Sequence, residues 1–237
     1  ATYPEAHPQS PSFAKDLYKN LKGESIAPQR VENLFRDFES VKRVFLVGDH
    51  REYNTALIVP NPEATNLDLD AMSTIERRDH FRSLVVSVNQ FLAPFERIVD
   101  FAVLERDFDE AKGELTLKGT FRRRKIADGF EDTIASLYRR ARLRLEQPGV
   151  TVEMPNWLYQ TLGLTAGDIT VREDRLVSMA SGEELEVAHL GPDPDAPGEL
   201  YGIGSSVYRL QRPRVDVEAL IAAGTLALGN TALARFA

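Results

Sequence analysis

Four consecutive cations, Arg122, Arg123, Arg124 and Lys125, close the stretch GELTLKGTFRRRKI that runs from residue 113 to 126. Thr120 stands just ahead of them as a candidate N-cap for a helix. Free backbone N–H groups at such a start, joined by the forked donors of arginine, make a site for an anion such as a phosphate. A helix start already carries partial positive charge and ordinarily favours acids, so the sign of this run asks for a reason. Four successive residues wrap a helix, so not all of them can face one ligand. The competing reading is a solvated basic face. Lys118 lies two residues before Thr120 as a further cation, and its competing reading is an ordinary loop lysine.

Other chemistries have little to stand on. Cysteine is absent, which removes disulfides, thiolate metal sites and a Cys nucleophile together and fits a reducing cytoplasm. His7, His50, His80 and His189 are scattered without partners at metal spacing, so no metal site is expected. The net charge of −7 gives no basic field for nucleic acid. GELYGIGSS (198–206) has glycines but lacks the strand–helix setting of a nucleotide loop. With 43% hydrophobic and 27% charged residues the composition is that of a soluble globular protein. No apolar run approaches the roughly 20 residues that span a bilayer. The opening ATYPEAHPQSPSF has neither the charged start nor the apolar core of a signal peptide, and without Met the chain reads as a processed protein or as a segment of a longer one.

The elements that must position these cations follow from periodicity. Pro28 suits the first turn of a helix carrying Val31, Leu34, Phe35 and Phe38. The β-rich runs at 42–48 and 55–60 flank the polar turn DHREYN and predict a hairpin. A helix is expected over 74–93, ended or kinked by Pro94, and a strand over 97–105. Ile126, Phe130, Ile134, Leu137, Ala141 and Leu145 step by three or four, which predicts one long helix over about 121–146 despite Gly129.

QPGVTVEMPNW then breaks the pattern. DITVRED, RLVSM, ELEVAHL and GSSVYRL read as short strands, 191–202 as a Pro/Gly loop, and 215–224 as a final helix capped by Gly224. Trp157, with Met154, Pro155 and Leu158, is expected in a core, and Glu183, Glu184 and Glu186 on a solvated edge. Charge divides at the same place. Residues 1–147 hold all seven lysines and sixteen arginines against twenty-four acids, a net of −1, whereas residues 148–237 hold no lysine, six arginines and twelve acids, a net of −6. The expected organisation is an arm at 1–13, an α+β domain at 14–147 with a small sheet flanked by helices, and a second small, strand-rich α+β unit at 148–237.

Four blocks in order carry a resemblance: KDLYKNLKGESIAPQRVE, VKRVFLVGDHREYNTALIVP, FLAPFERIVDFAVLERDF and GELTLKGTFRRRKIADGFEDTIASLY. Over about residues 12–140 the chain resembles the C-terminal domain of adenylate-forming (AMP-dependent) acyl-CoA synthetases, in their long-chain fatty acid CoA ligase branch. The resemblance implies a small mobile domain that closes over ATP and fatty acid for adenylation and then rotates for thioester formation with CoA. A larger N-terminal adenylation domain of the same chain is the implied partner and the main holder of Mg. This chain alone is expected to be inactive, cytoplasmic, and without a transmembrane segment; peripheral membrane contact stays open.

Residue roles follow from the same resemblance. Lys15, next to Asp16, matches the hinge, and Gly23, Glu24 and Ser25 match the turn that lines the CoA channel. Where the family has Gly-Arg before the hinge, Ser12 and Phe13 stand here. The family's adenylation lysine, which neutralises charge on the α-phosphate, falls on Thr120 when the basic runs are aligned, with Lys118 two residues earlier. Either Lys118 serves from a rearranged loop, or adenylation is weakened and the chain is a degenerate module that binds a partner or senses acyl-CoA. Arg122, Arg123 and Arg124 are then candidates for a phosphate of ATP or CoA, against a basic face that docks on acids of the larger domain.

Overall fold

The computed structural model describes residues 17–65, 67–139, 142–147, 150–155, 159–160, 163–173, 175–179, 181–210 and 214–216. Strands β1 (Tyr18–Lys19) and β2 (Ser25–Ile26) pair antiparallel around the Gly23 turn. Pro28 opens α1 (Pro28–Asn33), where a missing N–H costs no hydrogen bond. β3 (Val41–Val47) and β4 (Asn54–Pro60) form the expected antiparallel hairpin, with Leu46 opposite Ala56. α2 (Thr74–Asn89) is the crossover that lets β5 (Ile98–Val103) pair parallel to β4. Its start is fixed by a capping box in which Ser73 and Glu76 satisfy each other's backbone N–H groups. It ends at Asn89, short of the expected 93, and a 3₁₀ turn over Pro94–Glu96 leads into β5.

The sheet order is β3-β4-β5, and β4 is buried on both faces. On one face Val44, Leu46, Ala56, Ile58 and Phe101 pack with Val31 and Phe35 around α1 and with Phe81, Val85 and Val88 of α2. On the other, Phe45, Leu57 and Val59 meet Leu104, Phe108, Leu115 and the helical residues Ile126, Ile134 and Leu137. Strand alternation alone produces this division. Each fully buried large side chain contributes about 2 kcal/mol in transfer terms.

The single helix expected over 121–146 is not formed. α3 (Arg123–Gly129) and α4 (Glu131–Tyr138) divide at Phe130, and residues 142–147 form strand β6 (Arg142–Gln147). The break has a tertiary cause. A Cβ on Gly129 would lie 2.9 Å from the buried Glu114 carboxylate, and the Phe130 ring turns edge-on to Phe108 at 5.7 Å. Thr120 is not the N-cap of α3; Arg122 holds that place, without a side-chain cap.

β6 pairs antiparallel with β7 (Val150–Pro155). Five further strands, β8 (Ile169–Arg172), β9 (Arg175–Ser178), β10 (Glu184–Pro192), β11 (Glu199–Ile203) and β12 (Ser206–Leu210), make an antiparallel meander. β11 lies partly within the stretch expected to be loop. β13 (Arg214–Asp216) runs parallel to β7, so Val215 and Asp216 are strand; the rest of the expected final helix, and Trp157 with Leu158, lie outside the described residues. Glu183, Glu184 and Glu186 are exposed, as expected.

The strand-rich region meets the first sheet at β5. Ala166 N–H donates to Val99 O at 2.8 Å. The buried Asn89 amide donates to Ile98 O at 2.9 Å and to Gly163 O at 3.0 Å. Arg97 donates to Gln160 O at 3.1 Å, and Arg82 pairs with the fully buried Asp168.

Candidate functional site

Residues 115–121 form a tight hairpin. Leu115 and Phe121 bridge, Thr116 N–H donates to Thr120 O at 2.9 Å, and Gly119 N–H donates to Thr116 O at 2.8 Å. Thr120 N–H adds a bond to the Thr116 hydroxyl at 3.1 Å. Gly119 has φ +74°, the left-handed residue that such a three-residue hairpin loop requires. At its tip Leu117 is 90% exposed, and Lys118 is exposed with no ion pair among the described residues. Thr120 is exposed beside it.

The base of the hairpin is the opposite in character. Arg106 donates to both oxygens of the buried Glu114, at 2.8 and 2.7 Å, and Asp109 N–H donates to the same carboxylate at 2.7 Å. The Arg106 hydrogen bond is the main cause that holds the Glu114 carboxyl below its ordinary range, against the opposing effect of burial. Arg106 also lies 4.4 Å from the Phe130 ring centre. Phe121 packs edge-on against Phe45 at 5.6 Å and Phe108 at 5.3 Å. These contacts fix the hairpin to the sheet while leaving its tip free.

The basic run divides by burial. Arg123 is turned inward and donates to both oxygens of Glu32 at 2.8 Å, with its guanidinium 5.0 Å from the Phe45 ring centre. Glu32 in turn accepts the Leu46 N–H at 2.9 Å, and Arg123 donates to Leu46 O at 3.3 Å. Leu46 sits on the open side of β3, so this ion pair satisfies both of the backbone groups that Leu46 presents there. Arg123 is thereby committed within the fold, and Arg122, Arg124 and Lys125 remain exposed. Among the phosphate candidates Arg122 and Arg124 are therefore the exposed ones, with Arg123 half-buried between them.

Two grooves flank Arg123. One, of about 520 Å³, is bounded by Arg36 after α1, by Lys42 to Val44 of β3, and by Lys118 to Phe121 of the hairpin. The other, of about 700 Å³, runs between Tyr18, Gly48, Arg51 and the Arg124 side of α3. Gly23, Glu24 and Ser25 line neither groove. Their turn is closed by Asn20, whose side chain accepts the N–H groups of Lys22 and Glu24 at 3.0 and 2.9 Å and donates to the Glu24 carboxylate at 2.6 Å. It is attached to the β3–β4 turn through Leu21 N–H to Arg51 O at 3.0 Å. Lys15 and Asp16 lie outside the described residues.

Residues 16–142, more than half of the chain, match the family described as the AMP-binding enzyme C-terminal domain. The chain belongs to that family. The "Putative fatty-acid--CoA ligase fadD11" of Mycobacterium tuberculosis is 30% identical over 135 residues, which are 52% of this chain and 24% of that protein. The "Long-chain-fatty-acid--CoA ligase FadD15" of the same organism is 25% identical over 142 residues, 52% of this chain and 23% of that one. The chain thus spans about a quarter of the length of these curated relatives. The adenylation–carrier didomain of carboxylic acid reductase from Segniliparus rugosus, solved with AMP, overlaps 54% of this chain and 18% of its own, at 22% identity and a TM-score of 0.46.

Within this AMP-binding enzyme C-terminal domain, β1 to α4 all fall inside the matched residues, and both candidate hairpins lie there too. Glu32 and Glu114, which hold the hairpin and its helix in place, were not singled out from sequence. Arg36 and Lys42, which wall the groove beside Lys118, were not either. Each stands among other charged residues in its segment, so its type alone does not mark it, and the partners of Glu32 and Lys42, Arg123 and Asp107, lie far along the chain. Among the described residues no group of three or more His, Asp or Glu could hold a metal, and no helix is long and apolar enough to cross a membrane.

Proposed function

We propose that this chain is the closing domain of an ATP-dependent, AMP-forming fatty acid CoA ligase with a preference for long chains, working in the cytoplasm. A larger N-terminal domain supplies the pockets for nucleotide and fatty acid, and Mg²⁺ arrives there with the triphosphate, since the described residues offer it no carboxylate cluster. The observation that carries the reading is Lys118, a bare ammonium at the tip of a hairpin whose base is pinned by Glu114 and Phe121. A cation fixed on a rigid mount, presented to solvent, suits stabilising the charge that develops on an α-phosphate as a carboxylate attacks it. In the second half-reaction the Gly23 turn lines the pantetheine channel, with Lys15 and Asp16 as the hinge. By this reading the fatty-acid pocket belongs to the larger domain, and the chain alone is inactive.

The test is fatty-acid-dependent ATP–pyrophosphate exchange by the full-length protein, for wild type, Lys118→Ala and Thr120→Lys. The expected result is robust wild-type exchange that falls by about 10²-fold or more with Lys118→Ala. Thr120 supports a second reading, a non-catalytic module, because it stands where the family's lysine is expected and carries no charge. Exchange that is absent in wild type and restored by Thr120→Lys would establish that alternative. Exchange indifferent to both substitutions would remove this hairpin from the chemistry altogether.

A further inference from the structure

The groove of about 520 Å³ beside Lys118 gathers cations from three elements around very little acid. Arg36 is exposed and makes no ion pair among the described residues. Lys42 and Arg43 share one carboxylate, Asp107, at 3.0 and 3.1 Å, which leaves one of their two charges over. Glu32, the acid on the groove wall, is taken by Arg123. With Lys118, three positive charges stay uncompensated in one concavity of a chain whose net charge is −7. Backbone geometry adds a donor. Ile58 O accepts from Leu104 on the β5 side, so the Val44–Ile58 pair makes no ladder bonds and the Val44 N–H points off the sheet edge, on the wall of this groove.

We propose that this groove binds the diphosphate group of a nucleotide, with Arg36 and Lys42 as its side-chain ligands and Lys118 at its rim. Several cations converging with a backbone N–H match a compact group with many anionic oxygens, and the volume falls within the range of about 300–1,000 Å³ usual for small-ligand sites. The inference rests on the reading that the chain handles ATP and CoA, both of which carry a diphosphate. It adds to that reading a second binding element on the closing domain itself, adjoining the Lys118 tip.

The test is titration of the 237-residue chain with inorganic pyrophosphate near physiological ionic strength, followed by calorimetry and amide chemical shifts. Saturable binding is expected, with shifts at Val44 and the 118–121 hairpin. The dissociation constant should rise about tenfold or more in the Arg36→Ala, Lys42→Ala double variant and stay unchanged in Arg51→Ala, which lines the other groove. Displacement of pyrophosphate by ATP or by CoA identifies which of them supplies the diphosphate. Binding that is absent, or equal in the double variant, overturns the site; the cations would then serve docking on acids of a partner. If that happens while Lys118→Ala still abolishes exchange, the ligase reading stands and this site alone falls.

Discussion

The turn at Asn20–Glu24 and the turn at Thr116–Thr120 are built from similar parts: a short antiparallel ladder with a positive-φ glycine, Gly23 or Gly119. They are stiffened at opposite ends. In the first, the Asn20 side chain crosses the loop and holds its tip. In the second, the tip carries little beyond backbone bonds and one threonine hydroxyl, while ion pairs and aromatic rings hold the base. A loop locked at its tip presents a fixed backbone shape. A loop locked at its base presents one side chain, here Lys118, at a fixed place with freedom to reach.

This contrast can be broken by substitution, and the largest effects are expected at the base of the second hairpin and at the start of α3 just beyond it. Arg123→Ala removes the ion pair to the Glu32 carboxylate and the donor to the Leu46 carbonyl and should cost about 3 kcal/mol, read as a lower urea midpoint. Glu114→Gln should cost about 2 kcal/mol and also change the acid limb. The folded-state Glu114 carboxyl is held below its ordinary 4.5, so its stabilisation is present above that pH and is lost as pH falls through the folded value. Thermal melts from pH 6 to 3 should therefore decline less steeply in the Gln variant, and an unchanged slope would show that this ion pair does not couple to folding. Asn20→Ala should cost about 1 kcal/mol and raise amide exchange at Lys22 and Glu24 only. Lys118→Ala should change stability by under about 0.5 kcal/mol while removing exchange activity. A destabilisation as large as that of Arg123→Ala would mean that tip and base are one unit.

The sequence was most legible where one local pattern had one meaning. The β3–β4 hairpin, the start of α1 and the existence of α2 followed from periodicity and turn residues, but Leu34, Phe35 and Phe38, expected on α1, lie beyond its end at Asn33. The long helix failed because two periods overlap: Ala141 and Leu145 continue a helical step, but Leu143 and Leu145 also alternate as a strand, and β6 is what forms. β11 was hidden because its glycine sits in a Gly- and Pro-rich stretch that reads as turn. At the site, Lys118 and the basic run were visible, but the inward turn of Arg123 was not. Its partner Glu32 lies 91 residues away, and no spacing rule connects them.

The three-stranded sheet has two open sides, and each is closed differently. The Glu32–Arg123 pair covers β3 with side chains, whereas Ala166, from beyond the family match, covers β5 with its own backbone. A shorter chain trimmed at residue 142 would retain every residue of the match yet bare the Val99 carbonyl, making β5 a template for another copy. Such a trimmed protein should form concentration-dependent oligomers in sedimentation where the longer one does not. The strand-rich region would then act as a built-in guard against self-association, whatever else it binds.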